Sequence, residues 1–210
     1  MIKFAKSLKQ EKYNTYLQSS DKLDIPSQFI EKDFWVCFVL YVLFNKSSYK
    51  DNLIFGGGTS LSKSYHCINR FSEDIDIAIN WDVLGFDSNP IEGKSKTQRK
   101  LIVEKIRIKT IEFIKNKLLH ALKEKFNEIL IDQIKVYIKD ESPDSIYVEY
   151  PKVLDYDYID PIVKIEIGSV SSMFLRDNKI INSYIHDAFP NSLTLQNISI
   201  PTTLISRIFW

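Results

Sequence analysis

The apolar positions of this chain follow two rhythms, one helical and one extended. Residues 1 to about 20 read as a polar, weakly amphipathic helix. Pro26 suits the first turn of a second helix, where a missing N–H removes no bond. That helix runs toward Asn45, with Ile30, Phe34, Val36, Cys37, Leu40, Tyr41 and Phe44 as its apolar side. Asn52 to Phe55 predicts a short strand ending at the glycines, and Thr59 to about His66 predicts a helix. Asp74 to Ile79 alternates acidic and apolar residues, the signature of a strand with one wet face.

Asp87 to Lys94 reads as a loop, marked by Ser88, Asn89, Pro90 and Gly93. A long helical pattern follows from about Ser95 to Asn127. Ile134 to Ile138 and Ile146 to Tyr150 predict paired strands, and Ile162 to Ile167 a third. Ile180 to Phe189 and Leu193 to Ile200 are ambiguous, with strand content expected in both. Pro201 opens a helical pattern carried by Leu204, Ile205, Ile208 and Phe209, which stops at Trp210. That stop suggests a truncation, a fragment or a partner surface. The elements together predict an α+β fold, a mixed sheet flanked by helices with an N-terminal helical pair. Residues 1–50 are expected to be helices packed on the core, and residues 51–210 the main domain.

With 210 residues the chain can bury a core without disulfides. A net charge of +1 gives no global drive toward nucleic acid or membrane. The charge is uneven, however. Lys and Arg dominate from Lys94 to Lys125 with Glu interleaved, which reads as a solvated helix face or a track for an RNA backbone. Acidic residues dominate from Asp140 to Asp160, where Lys152 is the only base. Cys37 and Cys67 sit among apolar or aromatic neighbours and are expected to be reduced thiols. The start, Met1 to Lys6, lacks the apolar core of a secretory signal. The apolar run Phe34 to Phe44 is shorter than the ~20 residues that span a bilayer. A soluble, cytoplasmic protein without a membrane anchor is the expectation.

Candidate chemistry gathers in two places. Three consecutive glycines permit positive φ and close approach of a ligand to the backbone. The following helix would turn unpaired amides toward the same space, and Thr59 and Ser60 would add hydroxyl donors. Lys63 lies one turn later and could face the same anion. The spacing matches neither the P-loop nor the dinucleotide-binding fingerprint. For the glycines alone, a tight strand-to-helix turn without a ligand is the alternative, and the simpler one. Asp74 and Asp76, two apart on a strand, point the same way, while Ile75, Ile77 and Ile79 point into the core. Such a pair repels itself unless a cation intervenes, and Mg²⁺ with substrate phosphates suits it. An exposed acidic edge is the alternative. Glu166, inside Ile165-Glu166-Ile167, needs a partner. It becomes a third metal ligand or a base if its strand lies beside that of Asp74, and otherwise a salt-bridge partner of a lysine. Arg70 and Ser72 could bind a triphosphate or brace the turn.

Taken jointly, these residues resemble the nucleotidyltransferase superfamily with the DNA polymerase beta-like fold, and within it the AbiEii/AbiGii toxin family. The resemblance rests on Glu31-Lys32-Asp33, Gly57-Gly58-Thr59-Ser60-Leu61-Ser62-Lys63, Arg70-Phe71-Ser72-Glu73-Asp74-Ile75-Asp76 and Lys164-Ile165-Glu166-Ile167. It implies a nucleotidyltransferase-type sheet and transfer of a nucleoside monophosphate from an NTP, with Mg²⁺ or Mn²⁺, to an RNA acceptor such as tRNA. A separate antitoxin chain is the implied partner. Gly57, Gly58 and Thr59 would hold phosphate, with Ser60, Lys63, Arg70 and Ser72 beside them. Asp74, Asp76 and Glu166 would hold metal. The family continues past a Phe-Trp element into a helical domain with a further lysine and aspartate. A shortened chain that binds nucleotide or antitoxin without turnover is therefore the alternative.

Overall fold

The computed structural model describes residues 1–68, 71–86, 89–156, 158–169, 176–191 and 197–208. Helices α1 (Ile2–Ala5), α2 (Lys9–Leu23) and α3 (Ser27–Tyr41) come first, and α3 ends in a π turn over Val42–Lys46. Strand β1 (Leu53–Gly56) runs straight into α4 (Gly57–Lys63), and β2 (Asp74–Ile79) follows. The basic segment forms α5 (Lys96–Phe113), a π turn (Ile114–Leu118) and α6 (Leu119–Ile129). Ser95 and Gln98 cap its start reciprocally. Then come β3 (Lys135–Lys139), β4 (Ser142–Glu149), β5 (Ile162–Gly168), β6 (Arg176–Ile181), α7 (Tyr184–Ala188), β7 (Ile198–Thr203) and α8 (Ile205–Ile208).

The seven strands form one mixed sheet in the order β3-β4-β5-β2-β1-β7-β6. β2 and β5 are parallel neighbours, as are β1 and β7, and the other pairings are antiparallel. An α+β fold with a mixed sheet is therefore what the chain adopts. The ambiguous stretch after Ile180 resolves into the end of β6 and the short α7. Pro201 differs from expectation: it lies inside β7, and the helix begins only at Ile205. The Leu193 to Ile200 stretch lies partly outside the described residues, as do Phe209 and Trp210.

One face of the sheet carries Leu53, Phe55, Ile75, Ile77, Ile79, Ile146, Val148, Val163 and Ile165, all buried. They join one hydrophobic cluster with Phe34, Trp35 and Phe38 of α3 and with Phe113, Leu122 and Phe126 of the long helical segment. Period-2 alternation in the strands thus meets period-3.6 faces in the helices. Among the described residues no helix is long and apolar enough to cross a membrane. Both cysteines are free; Cys37 is buried, but Cys67 is exposed rather than in the apolar setting expected of it.

Helix α3 also carries three consecutive charged residues that are almost wholly buried, Glu31, Lys32 and Asp33. Each ties down a different part of the chain. Glu31 accepts from the amides of Val153 and Leu154 and from the Tyr156 hydroxyl. Lys32 donates to the carbonyls of Asp160 (2.9 Å) and Ile162 (2.6 Å) and pairs with Glu73 at 3.1 Å. Asp33 accepts from the Tyr184 amide at 2.7 Å and forms an ion pair with Lys63. Burial opposes the charge on Lys63, but Asp33 outweighs it and keeps the ammonium protonated.

Removing Asp33 strands a buried cation. Asp33→Ala is expected to cost about 3–5 kcal/mol of stability, as for other broken buried pairs, read as a lowered urea midpoint. An unchanged midpoint would show that Lys63 finds water at no penalty.

Candidate active site

The sheet register builds the site. Along the parallel pair, Asp74 stands beside Lys164 and Asp76 beside Glu166. On the other side of β2, Asp76 stands beside Gly56. Alternation along the strands then places Asp74, Asp76 and Glu166 on one face, opposite the hydrophobic cluster. Asp74 is exposed, and Asp76 and Glu166 are half-buried.

The glycine turn wraps closely around Asp76. Gly57 has φ +64°, and a Cβ built on it would overlap the Asp76 carboxylate. The Gly58 amide donates a hydrogen bond to that carboxylate. Glycine is therefore required at Gly57 twice over, for its left-handed backbone and for the space that Asp76 occupies.

The polar residues flanking the turn look inward. Thr59 and Ser60 are buried. The Thr59 hydroxyl donates to the Asp74 carbonyl and lies 2.6 Å from the Ser72 hydroxyl. With its single proton committed, Thr59 accepts from Ser72. Ser60 donates to the Gly57 carbonyl at 2.8 Å. Thr59 and Ser72 thus brace α4 against the start of β2, and Ser60 closes the first turn of α4 on itself, where the sequence pattern suggests phosphate donors. Lys63 also differs from expectation. Besides Asp33 it reaches the Asn182 carbonyl at 3.1 Å, and it sits 4.0 Å from the centre of the Tyr184 ring. It faces a cavity of about 400 Å³ lined by Phe29, Ser62, His66, Phe71 and Tyr184, a lining that includes none of the three acids. Arg70 lies outside the described residues.

The electrostatics of the acidic face are strained. Burial raises the pKa of Asp74, with Lys164 opposing and Glu166 and Glu73 adding to the rise. Burial also raises Asp76, and the negative charges of Glu166 and Asp74 raise it further against the Gly58 hydrogen bond. Lys164 forms an ion pair with Glu166. Among the described residues no three His, Cys, Asp or Glu side chains converge as a ready metal cage. The donor set nevertheless fits a hard divalent cation, which prefers one or two carboxylates plus phosphate oxygens to a closed protein cage. Repulsion between the acids is the observation that such a cation would relieve. Three partners of the site entered the sequence reading only as residues carrying the resemblance, with no role assigned to them. Lys164 was visible only as a flank of Glu166, and nothing in periodicity pointed to the roles of Lys32 or Glu73.

The chain belongs to the AbiEii family, nucleotidyl transferase toxins of type IV toxin–antitoxin systems, which matches residues 39–210. Among solved structures it is similar to MenT4, a nucleotidyltransferase toxin from Mycobacterium tuberculosis H37Rv, at 14% identity and a TM-score of 0.46. That match covers 94% of this chain and 56% of MenT4, so the chain spans little more than half the length of that protein. No curated protein matches.

Two outcomes follow for the acids. The folded protein holds the Asp74 and Asp76 protons more tightly than the unfolded chain does. Their ionisation therefore costs stability as pH rises through the folded pKa values, and that cost vanishes below the unfolded range. Asp76→Asn is expected to raise the melting temperature at pH 7 in metal-free buffer, with the gain shrinking at pH 3. A lower melting temperature at pH 7 would rule out repulsion as the dominant effect. Gly57→Ala is expected to displace Asp76 and abolish stabilisation by added Mg²⁺, measured as the metal-induced shift in melting temperature. An intact shift would show that the close approach is dispensable.

Proposed function

We propose that this chain is a toxin that transfers a nucleoside monophosphate from an NTP to the 3′ hydroxyl of an RNA, with tRNA as the acceptor. It would act in the cytoplasm under the control of a separate antitoxin chain. The observation that carries this reading is the register Asp76 to Glu166 with Asp74 on the same face. Membership of a family described as nucleotidyl transferases supports it.

Asp74 and Asp76 would hold the divalent cation, Mg²⁺ or Mn²⁺, with Glu166 as third acid. When bound, the cation neutralises phosphate charge and lowers the pKa of the attacking hydroxyl. The acceptor oxygen forms a bond to the α-phosphorus, the bond from that phosphorus to the β-bridging oxygen breaks, and pyrophosphate leaves. Glu166 would take the hydroxyl proton, and Lys164, its ion-pair partner, would steady the negative charge. The turn at Gly57 and Gly58 would serve the triphosphate by seating Asp76, Gly57 leaving room for its carboxylate and Gly58 donating to it. Thr59 and Ser72 would act by holding that turn against β2, and Ser60 by closing it on the Gly57 carbonyl. Lys63 acts through Asp33 on the same scaffold.

The test incubates the chain with α-labelled NTPs, Mg²⁺ and total tRNA. Label is expected to enter RNA, and Asp76→Ala is expected to reduce the rate by about a hundredfold or more, as loss of several kcal/mol of charge stabilisation would. NTP binding without any label transfer would overturn turnover and leave a nucleotide-binding module.

A further inference from the structure

The acidic face continues beyond the acids. Pairing of β3 with β4, β4 with β5 and β5 with β2 sets Tyr137, Tyr147, Lys164 and Asp74 in one lateral row across four strands. Tyr137 and Tyr147 stack, with centroids 5.6 Å apart and planes 16° apart. Neither ring belongs to the hydrophobic cluster, which lies on the other face. Lys139 sits 4.6 Å from the centre of the Tyr147 ring, and among the described residues it has no carboxylate partner. Lys135, which is exposed, borders the same edge beside Glu149. Tyr147 is buried beneath this face and backs Tyr137, whose ring is partly exposed. A backed aromatic ring outside the main cluster, next to a cation with no carboxylate partner among the described residues, has the elements of a single-strand platform, because every base offers a π-face.

We propose that this row seats the single-stranded end of the RNA acceptor. Resting on the transferase reading above, the inference assigns Tyr137, Tyr147 and Lys139 as its acceptor-binding residues. An upstream base extends the tyrosine stack, and Lys139 meets the neighbouring phosphate. Three strand spacings, about 14 Å in all, separate β3 from β2. The terminal nucleotide then lies over Asp74 and Asp76 while the chain behind it is held at the edge. Duplex RNA cannot unstack a base to join the tyrosines, so the platform selects single strands.

The experiment measures binding of a fluorescent RNA 12-mer to the chain by anisotropy, single-stranded and as a duplex, with Mg²⁺–NTP affinity measured separately by calorimetry. Single strand is expected to bind more tightly than duplex. Tyr137→Leu is expected to weaken single-strand binding about 5- to 150-fold, the range of one lost base–aromatic stack, while Tyr137→Phe retains it. Lys139→Gln is expected to lower the salt dependence by about one counterion. NTP affinity is expected to stay the same in all three variants. No RNA binding by the wild type, equal affinity in Tyr137→Leu, or a loss confined to NTP would overturn the inference. RNA binding that meets these expectations without label transfer would uphold the platform and overturn the transferase reading alone.

Discussion

Lys32 holds together the two strands on which the site depends. β2 and β5 are not linked by a short turn; more than eighty residues separate Asp74 from Ile162. Parallel neighbours of this kind need something to fix their relative height, since a one-residue slip turns every side chain to the opposite face. The ammonium of Lys32 bonds to the carbonyls that lead into β5 and to the carboxylate just before β2. Glu31 and Asp33 extend the same device to the loop after β4 and to the pair of α4 and α7. Three adjacent charges on one helix thus hold the turns around the acids, and the alternation of Ile75 and Ile77 with Asp74 and Asp76 then sets which way the carboxylates point.

Buried charge is an expensive way to build a scaffold. Removing ions from water costs several kcal/mol per ion unless partners compensate. Here each member of the triplet has at least two partners, so what these charges add over an apolar packing is direction more than strength. An apolar helix face would slide against the sheet, whereas carbonyls, amides and an ammonium meet at only one angle. Gly57 works in the same direction from the other side of Asp76, by admitting the carboxylate where any side chain would exclude it.

Much of this was legible in the sequence, for identifiable reasons. Strict alternation marked β2 without error in either boundary, because a strand with one wet face and one buried face has a period no helix shares. Glu166 could be read as unusual, yet only pairing of β2 with β5 gives it a neighbour, and pairing is non-local. The hydroxyls of Thr59 and Ser60 illustrate the opposite failure. Residue type advertises a donor but not its target, and both targets are backbone carbonyls inside the fold. Lys63 likewise looked free because its partner, Asp33, is thirty positions away on another helix. Pro201 read as the opening of a helix because Leu204, Ile205, Ile208 and Phe209 follow it at helical spacing, but it sits opposite Asn178 inside β7.

The acids and the platform make opposite demands on one sheet face. Asp74, Asp76 and Glu166 repel a polyanion, and an RNA end would approach them poorly without a cation or a second anchor. Tyr137 and Tyr147, three and two strands from β2, would offer an anchor that does not depend on charge. Lys139 stands beside the platform and Lys164 beside the acids, the latter paired with Glu166, while Glu149 at the platform's edge is matched by Lys135. An extended strand of phosphates then has a favourable route only while divalent charge neutralises the acids. On the proposed transferase reading, this arrangement would couple acceptor binding to cation loading: the site would take RNA well with a divalent cation on the acids, and poorly without one.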